Sequence, residues 1–125
     1  METKNRKILV VEDDQDSRTA LCLILDALGY KYLSASSGKE ALELANKDKE
    51  IDLALVDIMM PEMDGYQVLA ELRKIPELEN IPVIMVTAKD ADAEVLEGYK
   101  YGADYYITKP YTAKQIEYGI KLYME

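Results

Sequence analysis

The stretch LALVDIMMPEMDG, residues 53–65, decides the fold. It opens on Leu53, Ala54, Leu55 and Val56, four apolar residues without polar alternation, the pattern of a strand buried on both faces. The run ends on a carboxylate, Asp57. A carboxylate within such a strand would be costly to ionise. At the strand's C-terminal end it faces the crevice where open parallel α/β sheets bind ligands. A loop follows: Met60-Pro61 is held extended by the proline, and Asp64-Gly65 is a turn pair able to cap a helix. In isolation, a strand-end Asp reads equally well as a turn or capping residue. The remaining chain separates the two readings.

The chain has 125 residues, enough for one domain with a proper core, and a hydrophobic fraction of 49%. We therefore expect a single domain over residues 1–125. The formal net charge of −9 repels phosphate backbones, so the domain is not expected to bind nucleic acid directly. No signal peptide or bilayer-length apolar run is present, and a cytoplasmic protein without membrane contact is expected. The single cysteine, Cys22, lies among Leu21, Leu23, Ile24 and Leu25 and reads as a buried helix thiol. The chain has no histidine, which excludes His nucleophiles, His metal sites and phosphohistidine on the chain itself.

Read in order, a polar lead precedes a first strand, Lys7–Val11, which runs into Glu12, Asp13, Asp14 and Asp16. Asp16-Ser17 offers a helix cap, Leu21, Ile24, Leu25 and Leu28 follow at helical spacing, and Gly29 is a stop. A second strand (Lys31–Ala35) and a second helix opening at Ser37-Gly38 come next. After the third strand (Leu53–Asp57), a third helix is expected over residues 65–74, ended by Pro76. Residues 81–86 read as a fourth strand with Pro82 near its start, where a missing N–H is tolerated. Residues 90–100 read as a fourth helix of weak periodicity, 104–107 as a fifth strand, and 112–123 as a last helix. Five strands alternating with five helices mean a doubly wound five-stranded parallel sheet, of flavodoxin-like type and strand order 2-1-3-4-5. Strands 1 and 3 are then neighbours, and their ends bring Glu12, Asp13 and Asp57 together.

Such a cluster repels itself: two unit charges ~4 Å apart cost about 4 kcal/mol at an effective dielectric near ~20. A hard divalent cation with oxygen ligands resolves this, and Mg²⁺ suits a site shared with phosphate. Thr87 at the end of strand 4 adds a hydroxyl, and Lys109 after strand 5 adds a cation within reach of a phosphate. These are the parts for phosphoryl transfer onto a carboxylate nucleophile.

Four motifs in order, ILVVEDD (8–14), LVDIMMPEMDG (55–65), VIMVTAKD (83–90) and GADYYITKPY (102–111), resemble the receiver domain of two-component response regulators. The resemblance covers nearly the whole chain. It implies Asp57 as phosphoacceptor, with Asp13, Glu12, Asp57 and the Met59 backbone carbonyl around Mg²⁺. It also implies Thr87 and Lys109 as phosphoryl contacts, a cis Lys109-Pro110 peptide, Tyr106 as the switch aromatic, and Asp14 as a helix cap. The implied donor is a sensor histidine kinase or histidine phosphotransfer domain. The implied output is a downstream protein on the face of the fourth helix, fifth strand and last helix. The domain would be a phosphoacceptor rather than a metabolic enzyme, catalysing only its own phosphoryl transfer and slow autodephosphorylation. Alternatively, the chain is the N-terminal receiver piece of a longer regulator, such as a DNA-binding transcription factor or hybrid kinase.

Tyrosines crowd the expected output face, among them Tyr99, Tyr101, Tyr105, Tyr106, Tyr118 and Tyr123, in a chain with no Phe or Trp. Tyrosine favours protein contacts. Tyr111 stands where the family usually has Phe, and reads as a core aromatic. Tyr105 and Gly119 stand where DNA-binding members often carry an acid and an arginine used in dimer contacts. Met59 and Lys89 flank the acceptor and are expected to restrict a hydrolytic water. A haloacid-dehalogenase-type phosphatase would want a second Asp where Met59 stands, and an FMN binder a glycine-rich loop where EDDQD stands.

Overall fold

Alternate residues of the same strands feed two separate cores, and this makes the domain three-layered. The computed structural model describes residues 6–87 and 102–124, including the backbone but not the side chain of Thr87. Five strands, β1 (Lys7–Val11), β2 (Lys31–Ala35), β3 (Leu53–Asp57), β4 (Val83–Thr87) and β5 (Tyr105–Thr108), form one parallel sheet of order 2-1-3-4-5. Leu9, Val11, Ala54, Val56 and Met85 point to one face, against Ala41, Ala45, Val68, Leu69 and Leu72. Ile8, Val10, Leu53, Leu55 and Ile84 point to the other, against Leu21, Leu25, Ile116 and Ile120. The helices supplying these residues are α1 (Gln15–Leu28), α2 (Gly38–Lys47), α3 (Gly65–Leu72) and α4 (Ala113–Met124). β3 is buried along its whole length, as its unbroken apolar run requires. The expected helix over 90–100, with Lys89, Tyr99 and Tyr101, lies outside the described residues.

Local chemistry sets the element ends. α1 is capped by Asp14, as the resemblance implies, its carboxylate accepting from Ser17 N at 2.9 Å, while Asp16-Ser17, which also offers a cap, lies inside the helix. Starting two residues earlier lets Asp16 sit in the first turn, where a negative charge favours the helix dipole. Ser17's backbone and side-chain hydrogen bonds hold the Asp14 carboxyl below its ordinary range. Gly29 ends α1 at φ 86°, the left-handed conformation that favours glycine. α3 opens with a capping box, Asp64 accepting from Gln67 N and Gln67 accepting from Asp64 N. It ends at Leu72, before the expected residue 74, and Pro76 instead begins a single 3-10 turn (Pro76–Leu78).

Arg73, just past the end of α3, ties the opposite end of the sheet together. Its guanidinium donates to the carbonyls of Ile81 (2.5 Å), Gly102 (2.9 Å) and Glu79 (3.2 Å), and contacts Asp104 Oδ2 at 3.3 Å. Asp104 Oδ2 also accepts from Val83 N at 2.8 Å, so the starts of β4 and β5 share one carboxylate. Cys22 is half-buried rather than buried, on the flank of α1, where Ser34, Tyr32 and Asp26 line the same depression. Gly119 is buried and faces β5: a Cβ there would lie 3.4 Å from Tyr105 Cδ2 and 3.3 Å from Ile107 Cδ1. Tyr105 and Gly119 are therefore packed on each other. Among the described residues, no helix is long and apolar enough to cross a membrane.

Candidate functional site

The register of the sheet assembles the site. Val11 pairs with Val56, so the residues after β1 lie beside the end of β3. Asp57 is level with Val86, and Thr87 with Thr108, which sets the ends of β4 and β5 alongside. Carboxylate oxygens of Glu12, Asp13 and Asp57 all lie within 4.8 Å of one another. Glu12 and Asp57 are buried, at 1% and 5% exposure, while Asp13 opens to solvent. The buried pair is what a stable core avoids, and this donor set of hard oxygens fits a divalent cation.

Lys109 is the counter-charge. Its ammonium lies 3.0 Å from Glu12 Oε1 and 3.8 Å from Asp57 Oδ1. Burial works against the lysine's charge, but the Glu12 hydrogen bond and both carboxylates outweigh it, and its pKa is raised. Asp57 is pushed up to about 7, by burial first and then by its hydrogen bond and charge contact with Glu12. Lys109 and the Met59 N–H, 3.4 Å from Asp57 Oδ1, pull in the opposite direction.

The loop after β1 is fixed from α1. Arg18 donates to the carbonyl of Glu12 at 2.9 Å, and Asp14 N donates to Glu12 Oε2 at 3.2 Å. The loop after β3 is fixed by proximity: Gly65 N donates to Ile58 O at 2.9 Å, and a Cβ on Gly65 would lie 2.5 Å from the Asp57 carbonyl oxygen. Only glycine allows α3 to start that close to the acceptor strand. Glu62, in the same loop, holds φ 68°. The Met59 side chain is 60% exposed above the site.

Among the described residues, the structure brings together Glu12, Asp13, Asp57 and Lys109. Lys109-Pro110 is a cis peptide. Thr87 is placed by its backbone at the end of β4, next to the site, and its side chain lies outside the described residues. Tyr106 is half-buried on the α3 side of the sheet, with its hydroxyl 3.4 Å from that of Tyr66. Tyr111 is half-buried against the other core, as a residue in a Phe position would be, and burial pushes its hydroxyl up. Arg18 and Tyr66 were not anticipated. Arg18's signal was its position one turn into α1, able to reach back over the acidic loop, whereas Tyr66 carried none.

Comparison with known proteins agrees with this geometry. The family model for the response regulator receiver domain matches residues 8–121. The alkaline phosphatase synthesis transcriptional regulatory protein PhoP of Bacillus subtilis is 38% identical over 117 residues, covering 94% of this chain and 48% of that protein. SrrA of Staphylococcus aureus, a transcriptional regulatory protein, is 38% identical over 94% of this chain and 47% of its own length. The chain thus spans about half the length of the curated relatives it matches. The chemotaxis protein CheY4 of Vibrio cholerae superposes with a TM-score of 0.90 at 26% identity, over 95% of this chain and 98% of that one. The receiver domain of the Francisella response regulator 1452 gives 0.84 at 35% identity, over 94% and 95%. The sheet order, the acidic cluster at its switch point and the match over residues 8–121 lead to one conclusion: the chain belongs to the response regulator receiver domain family of two-component signalling.

Proposed function

We propose that Asp57 accepts a phosphoryl group from a phosphohistidine on a partner sensor kinase or phosphotransfer domain. The observation that carries this reading is a buried Asp57 at the end of β3, with Glu12 and Asp13 within 4.8 Å and the Lys109 ammonium 3.8 Å away. An Asp57 oxygen forms the bond to phosphorus as the phosphorus–nitrogen bond breaks, and the partner imidazole keeps that electron pair. Lys109 turns from Glu12 toward the arriving phosphoryl oxygens, and Thr87 contacts one of them. Glu12, Asp13, Asp57 and the Met59 carbonyl would hold Mg²⁺, which when bound supplies neutralising charge to the acidic cluster and the phosphoryl oxygens. Water later hydrolyses the acyl phosphate to inorganic phosphate and the free carboxylate.

Phosphorylation biases two states of the domain. Thr87 is drawn to the phosphoryl group, Tyr106 turns inward, and the face bearing β5 and α4 is remodelled for a downstream protein. On that face Tyr105 stacks obliquely with Tyr118 and Tyr123, at ring separations of 6.4 and 6.0 Å, and Tyr118 is 60% exposed. The second reading, a receiver piece of a longer regulator such as a DNA-binding transcription factor or hybrid kinase, is supported by relatives about twice as long that are transcriptional regulators. In that case DNA contact belongs elsewhere in the protein, because this domain carries −9.

The test is intact mass after incubation with Mg²⁺ and acetyl phosphate, alongside Asp57→Asn. A hydroxylamine-labile adduct of ~80 Da, absent from the variant and without Mg²⁺, is expected. No adduct under any condition would remove the phosphoacceptor reading.

A further inference from the structure

Tyr66 lies between the acceptor loop and the switch residue. It is the second residue of α3, directly after Gly65, whose backbone is locked to Ile58. With Ile58, Met59, Met60 and Asp64 it lines a depression of about 440 Å³ beside the acceptor loop. Its hydroxyl accepts from the Tyr106 hydroxyl across 3.4 Å, bridging α3 and β5 over 40 positions of chain. Both rings pack partly buried against the same core as Val68 and Met85. Neither end of this contact is on a pliable element. Tyr106 is in register with Met85 on the neighbouring strand, and α3 starts from Gly65, where an added Cβ would come within 2.5 Å of the Asp57 carbonyl oxygen and 2.8 Å of Ile58 Cα.

We propose that the Tyr66 hydroxyl is a positioning group for Tyr106, holding the switch tyrosine in its present placement and tying that placement to the wall of the acceptor loop. This rests on Tyr106 being the switch aromatic. At 3.4 Å the contact is longer than an ordinary O–H···O bond and correspondingly weak, so its effect on a two-state population is a few-fold rather than orders of magnitude. That range suits a switch, which a much stronger bond would lock in one state.

The test places 3-fluorotyrosine at position 106 and compares the fluorine spectrum of the otherwise wild-type chain with that of Tyr66→Phe, without a phosphodonor. The Phe variant keeps the ring and loses only the hydroxyl. The expected result is a two- to tenfold change in the ratio of ring environments at 106. In parallel, rates of adduct formation with acetyl phosphate and Mg²⁺ are measured for Tyr66→Phe, Tyr106→Phe and the double variant. Tyr66→Phe should change the rate less in the Tyr106→Phe background than in the wild-type chain, because the switch hydroxyl it holds is then gone. An unmoved fluorine signal, or rate effects that simply multiply, would overturn the proposal. Absence of any adduct would strike at the phosphoacceptor reading instead, while the fluorine comparison would still decide the role of Tyr66.

Discussion

Lys109 and Glu12 are 97 positions apart in the chain, yet the ammonium after β5 donates to the carboxylate after β1 at 3.0 Å. The same carboxylate belongs to the cluster suited to a divalent cation. On the proposed function, lysine and metal would therefore compete for Glu12 until a phosphoryl group engages the lysine.

Lys109→Met removes that competitor. The metal-free protein should lose about 2 kcal/mol, because two buried carboxylates lose their partner while the lysine was itself part-exposed. Mg²⁺ should bind several-fold more tightly, read as a larger rise in Tm per increment of metal. Adduct formation with acetyl phosphate should nevertheless fall at least ~10-fold. An Mg²⁺ affinity equal to wild type would argue against competition at Glu12.

Asp57 predicts an inverted pH dependence for the metal-free domain. Its pKa is raised to about 7 in the fold, so the folded state binds more protons than the unfolded chain between the two values. This contribution is fully present below the unfolded pKa of about 4 and is lost as pH rises through about 7. Asp57→Asn should therefore be more stable than wild type at pH 8, on the order of 2 kcal/mol, with the gap closing toward pH 4. Mg²⁺ should stabilise wild type more at pH 8 than at pH 5, since protons compete for the same oxygens. Urea unfolding across this range, with and without Mg²⁺, checks both statements.

Gly65→Ala sets a methyl group 2.5 Å from the Asp57 carbonyl oxygen and 2.8 Å from Ile58 Cα, both backbone atoms that cannot swing aside. The cost should exceed ~2 kcal/mol, through strain against a close-packed strand. Adduct formation should fall with it, as the acceptor is displaced. Equal stability by chemical denaturation would show that the α3 start is not packed this closely.

Met59→Asn tests whether the exposed methionine restricts hydrolysis. The half-life of phosphorylated Asp57 should shorten several-fold, because a shorter polar side chain admits and orients water. An unchanged lifetime would clear Met59 of this role.

The strands were legible because their burial leaves a direct trace: β3 is apolar from Leu53 to Val56, and every one of those residues is buried. The acidic site was legible because topology alone makes β1 and β3 neighbours, so Glu12, Asp13 and Asp57 had to converge. Element ends were less legible. Asp14 and Asp16 offer α1 the same capping chemistry, and only the position of the first turn chooses Asp14. Contacts between side chains distant in the chain left no periodic trace at all. Nothing local to Tyr66 announces Tyr106, and nothing in RKIPELENIP announces that Arg73 will reach Gly102. Gly119 read as a missing arginine, whereas in the fold it is the space Tyr105 packs into.

The Arg73 clamp has a mechanical consequence. The carboxylate of Asp104, immediately before β5, is anchored to the guanidinium and to Val83 N, and its backbone to Val83 O and the Tyr123 hydroxyl, while the far end of the strand delivers Lys109 to the acidic cluster. A strand pinned at its root cannot slide past its neighbour. It is also paired to β4 along its whole length, from Tyr105 opposite Ile84 to Thr108 opposite Thr87, so clamp and ladder together fix the point from which Lys109 reaches the acidic cluster, as a surveyed benchmark fixes everything measured from it.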